Sequence, residues 1–306
     1  MELNRNGYGS NFNKIYIDLS TNIVKKICYN NYGIKKMKNE INFIKYITNK
    51  INFPIPKIYE CLQNGYIMEY MNNYIPLYKI YNQNNLNILS TINLKLKLLH
   101  TVEKILTTKE NYINNLLIET KKKLYERYNS IQYIIYEYNY IKSVNNINIY
   151  NFDEIVTYIN NKIIDIIDKK KEYYYVPIHG DCQFNNILIN PITNEICFID
   201  PRGYFGDLEI FGIEEYDYAK VLFALSGYDF FDNSNINYLD ISGSNINIQT
   251  NILDVNILNN FNLETLIMLT IWLGNAHCFI NDKFKLMYSY YIGLYYSTLF
   301  INKFNF

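Results

Sequence analysis

Three side chains able to hold a hard cation or orient a hydroxyl lie close together in one stretch of the chain. Residues 177–206 read PIHGDCQFNNILINPITNEICFIDPRGYFG and place Asp181, Asn186 and Asp200 around two short apolar runs. Residues 187–190 and 196–199 read as the arms of a β-hairpin turned by Pro191-Ile192-Thr193-Asn194. In an antiparallel hairpin the start of the first arm lies beside the end of the second. Asn186 and Asp200 are therefore expected side by side, as two oxygen ligands for one cation, with Asp181 one loop upstream. That arrangement suits phosphoryl transfer. A carboxylate (Asp181) orients the attacking hydroxyl, while an amide and a carboxylate hold magnesium on nucleotide phosphates.

The triplet His179-Gly180-Asp181 with Asn186, followed by Ile199-Asp200-Pro201, resembles the aminoglycoside phosphotransferase and choline kinase-like superfamily. It is the small-molecule counterpart of the protein-kinase catalytic loop and its Asp-Phe-Gly metal ligand. The continuation through Arg202-Gly203-Tyr204-Phe205-Gly206, and then Tyr216-Asp217-Tyr218-Ala219-Lys220, is most similar to phosphotransferases encoded among capsule and surface-glycan genes. The core of the resemblance covers about residues 178–228, and weaker similarity extends over most of the chain. It implies a two-lobed, protein-kinase-like α+β fold. Residues 1–71 would form a small β-rich nucleotide-binding lobe, and residues 72–306 a larger, mainly helical catalytic and acceptor-binding lobe. The implied reaction is ATP (or other NTP)- and Mg²⁺-dependent phosphorylation of a hydroxyl on a small molecule. The capsule-like segments point to a sugar or glycan precursor as that acceptor. A choline, ethanolamine or aminoglycoside kinase is the alternative, and a nucleotide-binding pseudokinase is a further one.

Asp181 is the expected catalytic residue, with Asn186 and Asp200 as metal ligands; Asn185 takes the first ligand position if the loop is shifted by one residue. His179 is expected to support the loop rather than transfer protons, and Asp217 to brace it from a helix N-terminus. In Ile23-Val24-Lys25-Lys26-Ile27, strand alternation sends Val24 and Lys26 to one face. Lys26 is then the candidate phosphate-binding lysine and Val24 a cover for the adenine, with Lys25 as the alternative lysine. Glu40 in the following helix either pairs with that lysine or sits on the wet face of the helix. Gly7-Tyr8-Gly9-Ser10 is a candidate phosphate-covering loop, with Ser10 at its end. Glu69, Tyr70 and Met71 occupy the place where such folds join their lobes and offer backbone groups to adenine. Arg202, directly after a metal ligand, either meets an anion or pairs with one of Asp207, Glu209, Glu214 and Glu215.

These residues need elements to hold them. Residues 13–19 and 22–28 read as strands around a Ser20-Thr21 turn, residues 35–47 as a helix, and Phe53-Pro54-Ile55-Pro56 as an extended link. Residues 65–70 read as a strand. Residues 86–106, 122–142, 152–171, 215–225 and 263–299 have helical patterning. The Asn- and Ile-rich residues 233–259 are expected to form an inserted or mobile loop.

Composition narrows the alternatives. Twenty-nine basic against 29 acidic residues give no general drive toward nucleic acid or an anionic membrane. Five widely spaced cysteines form neither a disulfide framework nor a Cys-x-x-Cys metal pair, which suits a reducing compartment. The first residues lack an apolar signal core. The most apolar run, 265–280, is too short to span a bilayer and is interrupted by Asn275 and His277. A soluble, cytoplasmic protein is expected.

Overall fold

The structure, a computed structural model, describes residues 2–3, 12–81, 86–233, 239–248 and 255–304. Gly7, Gly9 and Ser10, the candidate phosphate-covering loop, lie outside the described residues. The architecture is α+β, with a β-rich N-terminal region followed by mainly helical structure. By its internal contacts the chain divides into two compact units. One joins Met1–Ile105 to Tyr174–Val221, and the other joins Leu106–Tyr173 to Leu222–Phe306.

The first unit is built on a five-stranded antiparallel sheet. Its strands are β1 (Glu2–Leu3), β2 (Asn13–Asp18), β3 (Ile23–Cys28), β4 (Ile58–Leu62) and β5 (Gly65–Glu69), in the order β1-β2-β3-β5-β4. The turn between β2 and β3 is closed by Asp18, which accepts from the Ser20 amide (2.9 Å) and from the Ser20 and Thr21 hydroxyls. Those hydroxyls and amide pull the Asp18 pKa down to about 2. Helix α1 (Asn31–Thr48) starts earlier than its apolar pattern suggests, because the Asn30 side chain caps it by accepting from the Gly33 amide at 2.8 Å. Its inner face buries Met37, Ile41, Ile44 and Ile47 and, among them, Glu40.

The proline link is not helical, as expected. The Pro54 carbonyl accepts from the Phe198 amide (2.7 Å), and Phe53 stacks on Phe198 with centroids 5.1 Å apart. A short strand β6 (Ile75–Pro76) pairs with Ile187–Ile189, which in turn pairs with Ile196–Phe198. Helix α2 (Leu86–His100) ends at His100, short of the expected residue 106, because Ile105–Leu106 is extended.

The second unit holds α3 (Lys109–Leu117), α4 (Lys123–Tyr136) and α5 (Phe152–Ile167); α5 opens with a complete capping box between Asn151 and Glu154. Helix α6 (Glu214–Leu225) carries the chain from the first unit into the second, and α7 (Tyr228–Asn233) follows. The single helix expected over 263–299 is two, α8 (Leu263–Asn275) and α9 (Lys283–Phe304). Between them lies a 3₁₀ turn, after which Asp282 accepts from the Lys285 amide (3.0 Å) and starts a new helix. The pair packs closely: a Cβ on Gly293 would come within 3.1 Å of the Leu273 backbone. Trp272 is fully buried and donates to Ser226 Oγ, and Tyr296 donates to the Ser226 carbonyl.

The expectation of an inserted or mobile loop over 233–259 needs correction at residues 239–248; residues 234–238 and 249–254 lie outside the described residues. Leu239–Ser242 and Asn245–Ile248 form a hairpin, and the second strand runs parallel to Ser143–Val144 in a four-stranded sheet. Alternation explains it: Ile246 and Ile248 are buried while Asn245 and Asn247 are half-buried on the opposite face, which is strand spacing within a low-complexity composition.

Candidate active site

The hairpin forms with Ile187 opposite Phe198 and Ile189 opposite Ile196, and Asn194 takes a left-handed conformation in the turn (φ 59°). At its open end the Ile199 amide donates to the Asn186 carbonyl at 2.9 Å, so Asn186 and Asp200 leave the pair from neighbouring positions. Asp200 itself has φ 53°, a left-handed conformation uncommon outside glycine.

Upstream, the loop carrying Asp181 is held from two sides. Buried Asp217, in the first turn of α6, accepts the His179 amide (2.9 Å) and the Gly180 amide (2.6 Å), and lies 3.0 Å from His100 Nε2. From the other side the Arg202 amide donates to the His179 carbonyl at 2.7 Å. Gly180 has φ 78°, and a Cβ there would meet the Arg202 side chain at 2.9 Å, so the turn requires glycine. His179 is buried. Its Nδ1 accepts the Asp181 amide, and its ring packs against Phe43 and Phe198. Burial pushes its pKa below the usual value against the pull of Asp217, which fits a neutral supporting ring.

Asp181 is partly exposed and has both carboxylate oxygens engaged. Oδ2 accepts from Asn186 Nδ2 at 2.9 Å, and Oδ1 lies 2.9 Å from Lys220 Nζ. Burial works to raise its pKa, but the Lys220 charge and hydrogen bond overcome it and hold the carboxyl below its ordinary value. Asn186 spends its amide nitrogen on Asp181, while its Oδ1 accepts no hydrogen bond among the described residues. The Asn186 Oδ1 and the Asp200 carboxylate are hard oxygen donors of the kind magnesium takes. Among the described residues no group of three or more His, Cys, Asp or Glu gathers as a metal centre.

A second cluster includes Asp200, which follows the Ile199–Asn186 backbone bond. Lys26 Nζ is 2.8 Å from Glu40 Oε2, 3.1 Å from Glu40 Oε1 and 3.0 Å from Asp200 Oδ1. Lys26 and Glu40 are both buried. Burial alone would lower the Lys26 pKa; the Asp200 and Glu40 charges reverse that and raise it, keeping the ammonium charged. Burial raises the Glu40 pKa, and Lys26 opposes it. Buried Tyr66 on β5 donates to Glu40 Oε1 and lies under the Lys26 ammonium. Gly203 (φ 67°) brings the Asp200 loop onto α1, since a Cβ there would sit 2.3 Å from the Asn39 carbonyl oxygen.

The structure thus gathers Lys26, Glu40 and Asp200 at one point, and Asp181 with Asn186 at the adjoining one. Lys25 is exposed on β3. Val24 shares the inner face of β3 with Lys26 and packs with Ile15, Tyr66 and Met68. Glu69 closes β5 and accepts from the Lys57 amide; the Tyr70 amide donates to the Asn22 carbonyl, and the Met71 carbonyl accepts from Tyr74. Arg202 stacks its guanidinium 3.9 Å above the Tyr204 ring and donates to the Tyr216 hydroxyl at 2.7 Å. Tyr66 and Lys220 were given no role from the sequence. Tyr66 alternates with Met68 on a strand facing Lys26, and Lys220 sits one turn past Asp217, so both had a spacing signal.

No protein-family model matches the sequence, and no curated protein matches it. Solved structures do match over nearly the whole chain. A thermostable mutant of the aminoglycoside phosphotransferase APH(4)-Ia, in its apo form, shares the fold with a TM-score of 0.57 at 10% identity, covering 99% of this chain and 94% of that one. A choline/ethanolamine kinase family protein from Mesorhizobium loti aligns with a TM-score of 0.57 at 8% identity, covering 96% and 87%. ADP-bound aminoglycoside phosphotransferase APH(2'')-Ib aligns with a TM-score of 0.52 at 14% identity, covering 98% and 93%. The fold is therefore the two-lobed, kinase-like α+β architecture, with a β-rich N-terminal lobe and a helical C-terminal lobe. Among the described residues no helix is long and apolar enough to cross a membrane.

Proposed function

We propose that this chain is a small-molecule kinase, transferring a phosphoryl group from ATP or another NTP to a hydroxyl. Residues 1–71 are the nucleotide-binding lobe and residues 72–306 the catalytic and acceptor-binding lobe. The observation that carries this reading is the buried Lys26–Glu40–Asp200 ion cluster joined through the hairpin to the Asp181–Asn186 pair. In this reading Lys26, held charged and in place by Glu40, binds nucleotide phosphate. Asp181 accepts a hydrogen bond from the acceptor hydroxyl and aligns it for attack. Asn186 and Asp200 hold Mg²⁺, which when bound neutralises charge on the phosphates. Val24 covers the adenine, and the backbone of Glu69, Tyr70 and Met71 binds its edge. Ser10 belongs to the phosphate-covering loop. A pseudokinase is the weaker reading, because both charged clusters are complete.

For the acceptor, the support is uneven. The capsule-like segments argue for a sugar or glycan precursor. The structures that share the fold are named as aminoglycoside phosphotransferases and a choline/ethanolamine kinase family protein, which favours an amine-bearing alcohol. Carboxylates and tyrosines near residues 204–218 suit either a hydroxyl-rich ring or a cation. A thermal-shift titration with ATP, with and without Mg²⁺, combined with coupled ADP release across choline, ethanolamine, aminoglycosides, sugars and sugar nucleotides, tests the proposal. Expected are a metal-dependent shift and turnover of one acceptor class. A metal-independent shift with no turnover would favour the pseudokinase, and no shift with any nucleotide would exclude both.

A further inference from the structure

We infer that Lys220 is a positioning residue for the Asp181 carboxylate, acting on the transfer step and not on nucleotide binding. The inference rests on the kinase reading above.

The argument begins with α6. Asp217 and Lys220 are three residues apart on this helix and so project from one face. Asp217 takes the amides of His179 and Gly180, and Lys220 reaches the side chain of the next residue, Asp181, at 2.9 Å. One helical face therefore grips three consecutive loop residues, two through the backbone and one through its carboxylate. The backbone grip places the Cα of Asp181 but leaves its carboxylate plane undetermined, since the last torsion of an aspartate has a broad range. Two contacts from different directions remove that freedom: Asn186 on Oδ2 and Lys220 on Oδ1. The remaining groups around Asp181 are His179 in its own loop, a neutral ring, and Arg202 beyond the hairpin, which adds positive potential.

Lys220 is only 14% exposed, with its ammonium directed at Asp181. Asp181 is 30% exposed, so water can solvate its carboxylate when Lys220 is removed, and the cost in stability is limited. The loss of alignment matters more, because displacing a reacting group by about 1 Å can cost about 10²-fold in rate. Without Lys220 the carboxylate is held at one oxygen only, and the hydroxyl it orients loses its line of attack.

The test uses full-length protein and whichever acceptor supports ADP release. Lys220→Met is expected to lower kcat by about 10²-fold while the Kd for Mg·ATP, read by calorimetry, stays within about twofold. Lys220→Arg, which restores a cation at similar reach, should recover at least about a tenth of wild-type kcat. In an Asp181→Asn background, Lys220→Met should lower the rate by less than about threefold further, because the two residues act as a unit. Lys220→Gln, a neutral donor of similar length, serves in place of the methionine variant if that one does not fold. Wild-type kcat in Lys220→Met or Lys220→Gln, a fully additive loss in the double variant, or a loss that follows only a fall in Tm would each overturn the inference. A wild-type protein with no acceptor turnover would instead overturn the kinase reading, and this inference with it.

Discussion

Lys26 and Glu40 are a buried pair whose members cannot be separated cheaply. Removing one partner of a buried ion pair costs about 3–5 kcal/mol, because the other charge stays behind uncompensated. Lys26→Met should therefore destabilise the protein by that order in urea unfolding. Adding Glu40→Leu should recover part of the loss, since an apolar pair replaces an orphaned carboxylate. A double variant less stable than Lys26→Met alone would mean that Glu40 is stabilised mainly by Tyr66. His179 makes a second residue-level prediction. Burial depresses its folded-state pKa, so its neutral form belongs to the native state. The stability it provides is complete above its unfolded pKa of about 6.5 and is lost as pH falls through the lower folded value. Between about pH 7.5 and 5, His179→Gln should show a shallower decline than wild type, by up to about 1.4 kcal/mol per pH unit. Parallel curves would show that the folded state does not depress the His179 pKa.

Among elements, the contact of the Asp200 loop with α1 depends on Gly203. Gly203→Ala places a left-handed alanine against the Asn39 carbonyl, and should cost about 1–3 kcal/mol. Gly243→Ala supplies the control: its φ is 59°, but no atom lies within 4 Å of the added Cβ. The difference between the two denaturation midpoints isolates the close approach, and equal losses would show that only backbone strain is at stake. The same elements show what the sequence could reveal. The hairpin was legible because its pairing is local and its apolar arms flank a clear turn. Strand alternation pointed to Lys26 over Lys25, and the structure buries Lys26 while exposing Lys25. Partners distant in sequence were harder to see. Nothing around Tyr66 or Lys220 indicates which carboxylate each will meet, because those contacts depend on how β5 and α6 dock. Residues 245–248 carry the strand period in their Asn-Ile alternation, but four residues of it are hard to tell apart from the low-complexity composition around them. The break near 276–282 was masked by apolar residues that continue through it.

At the scale of the whole molecule, Lys26, Glu40, Asp181, Asn186 and Asp200 all fall in the unit made of Met1–Ile105 and Tyr174–Val221. Hydrogen exchange with and without Mg·ATP should therefore show protection concentrated in those two segments. Protection concentrated in Leu106–Tyr173 instead would move the nucleotide site away from the residues assigned here. The 29-to-29 charge balance gives no net field to attract a polyanion, so under the proposed function nucleotide binding would depend on local groups such as Lys26.

The discontinuity of that unit also governs how the protein is made. Lys26 and Asp200 bond directly although 174 residues separate them along the chain. At ribosomal speeds of about 5–20 residues per second, Asp200 emerges roughly 9–35 s after Lys26. During that interval the N-terminal sheet and α1 can assemble, and Lys26 can already meet Glu40, but the second carboxylate has not yet been synthesised. Until then the nascent lobe holds Lys26 with one of its two carboxylate partners while the intervening helices are translated. The lobe is completed only once residue 200 has emerged, and a pause in translation before that point lengthens the time for which Lys26 lacks its Asp200 bond.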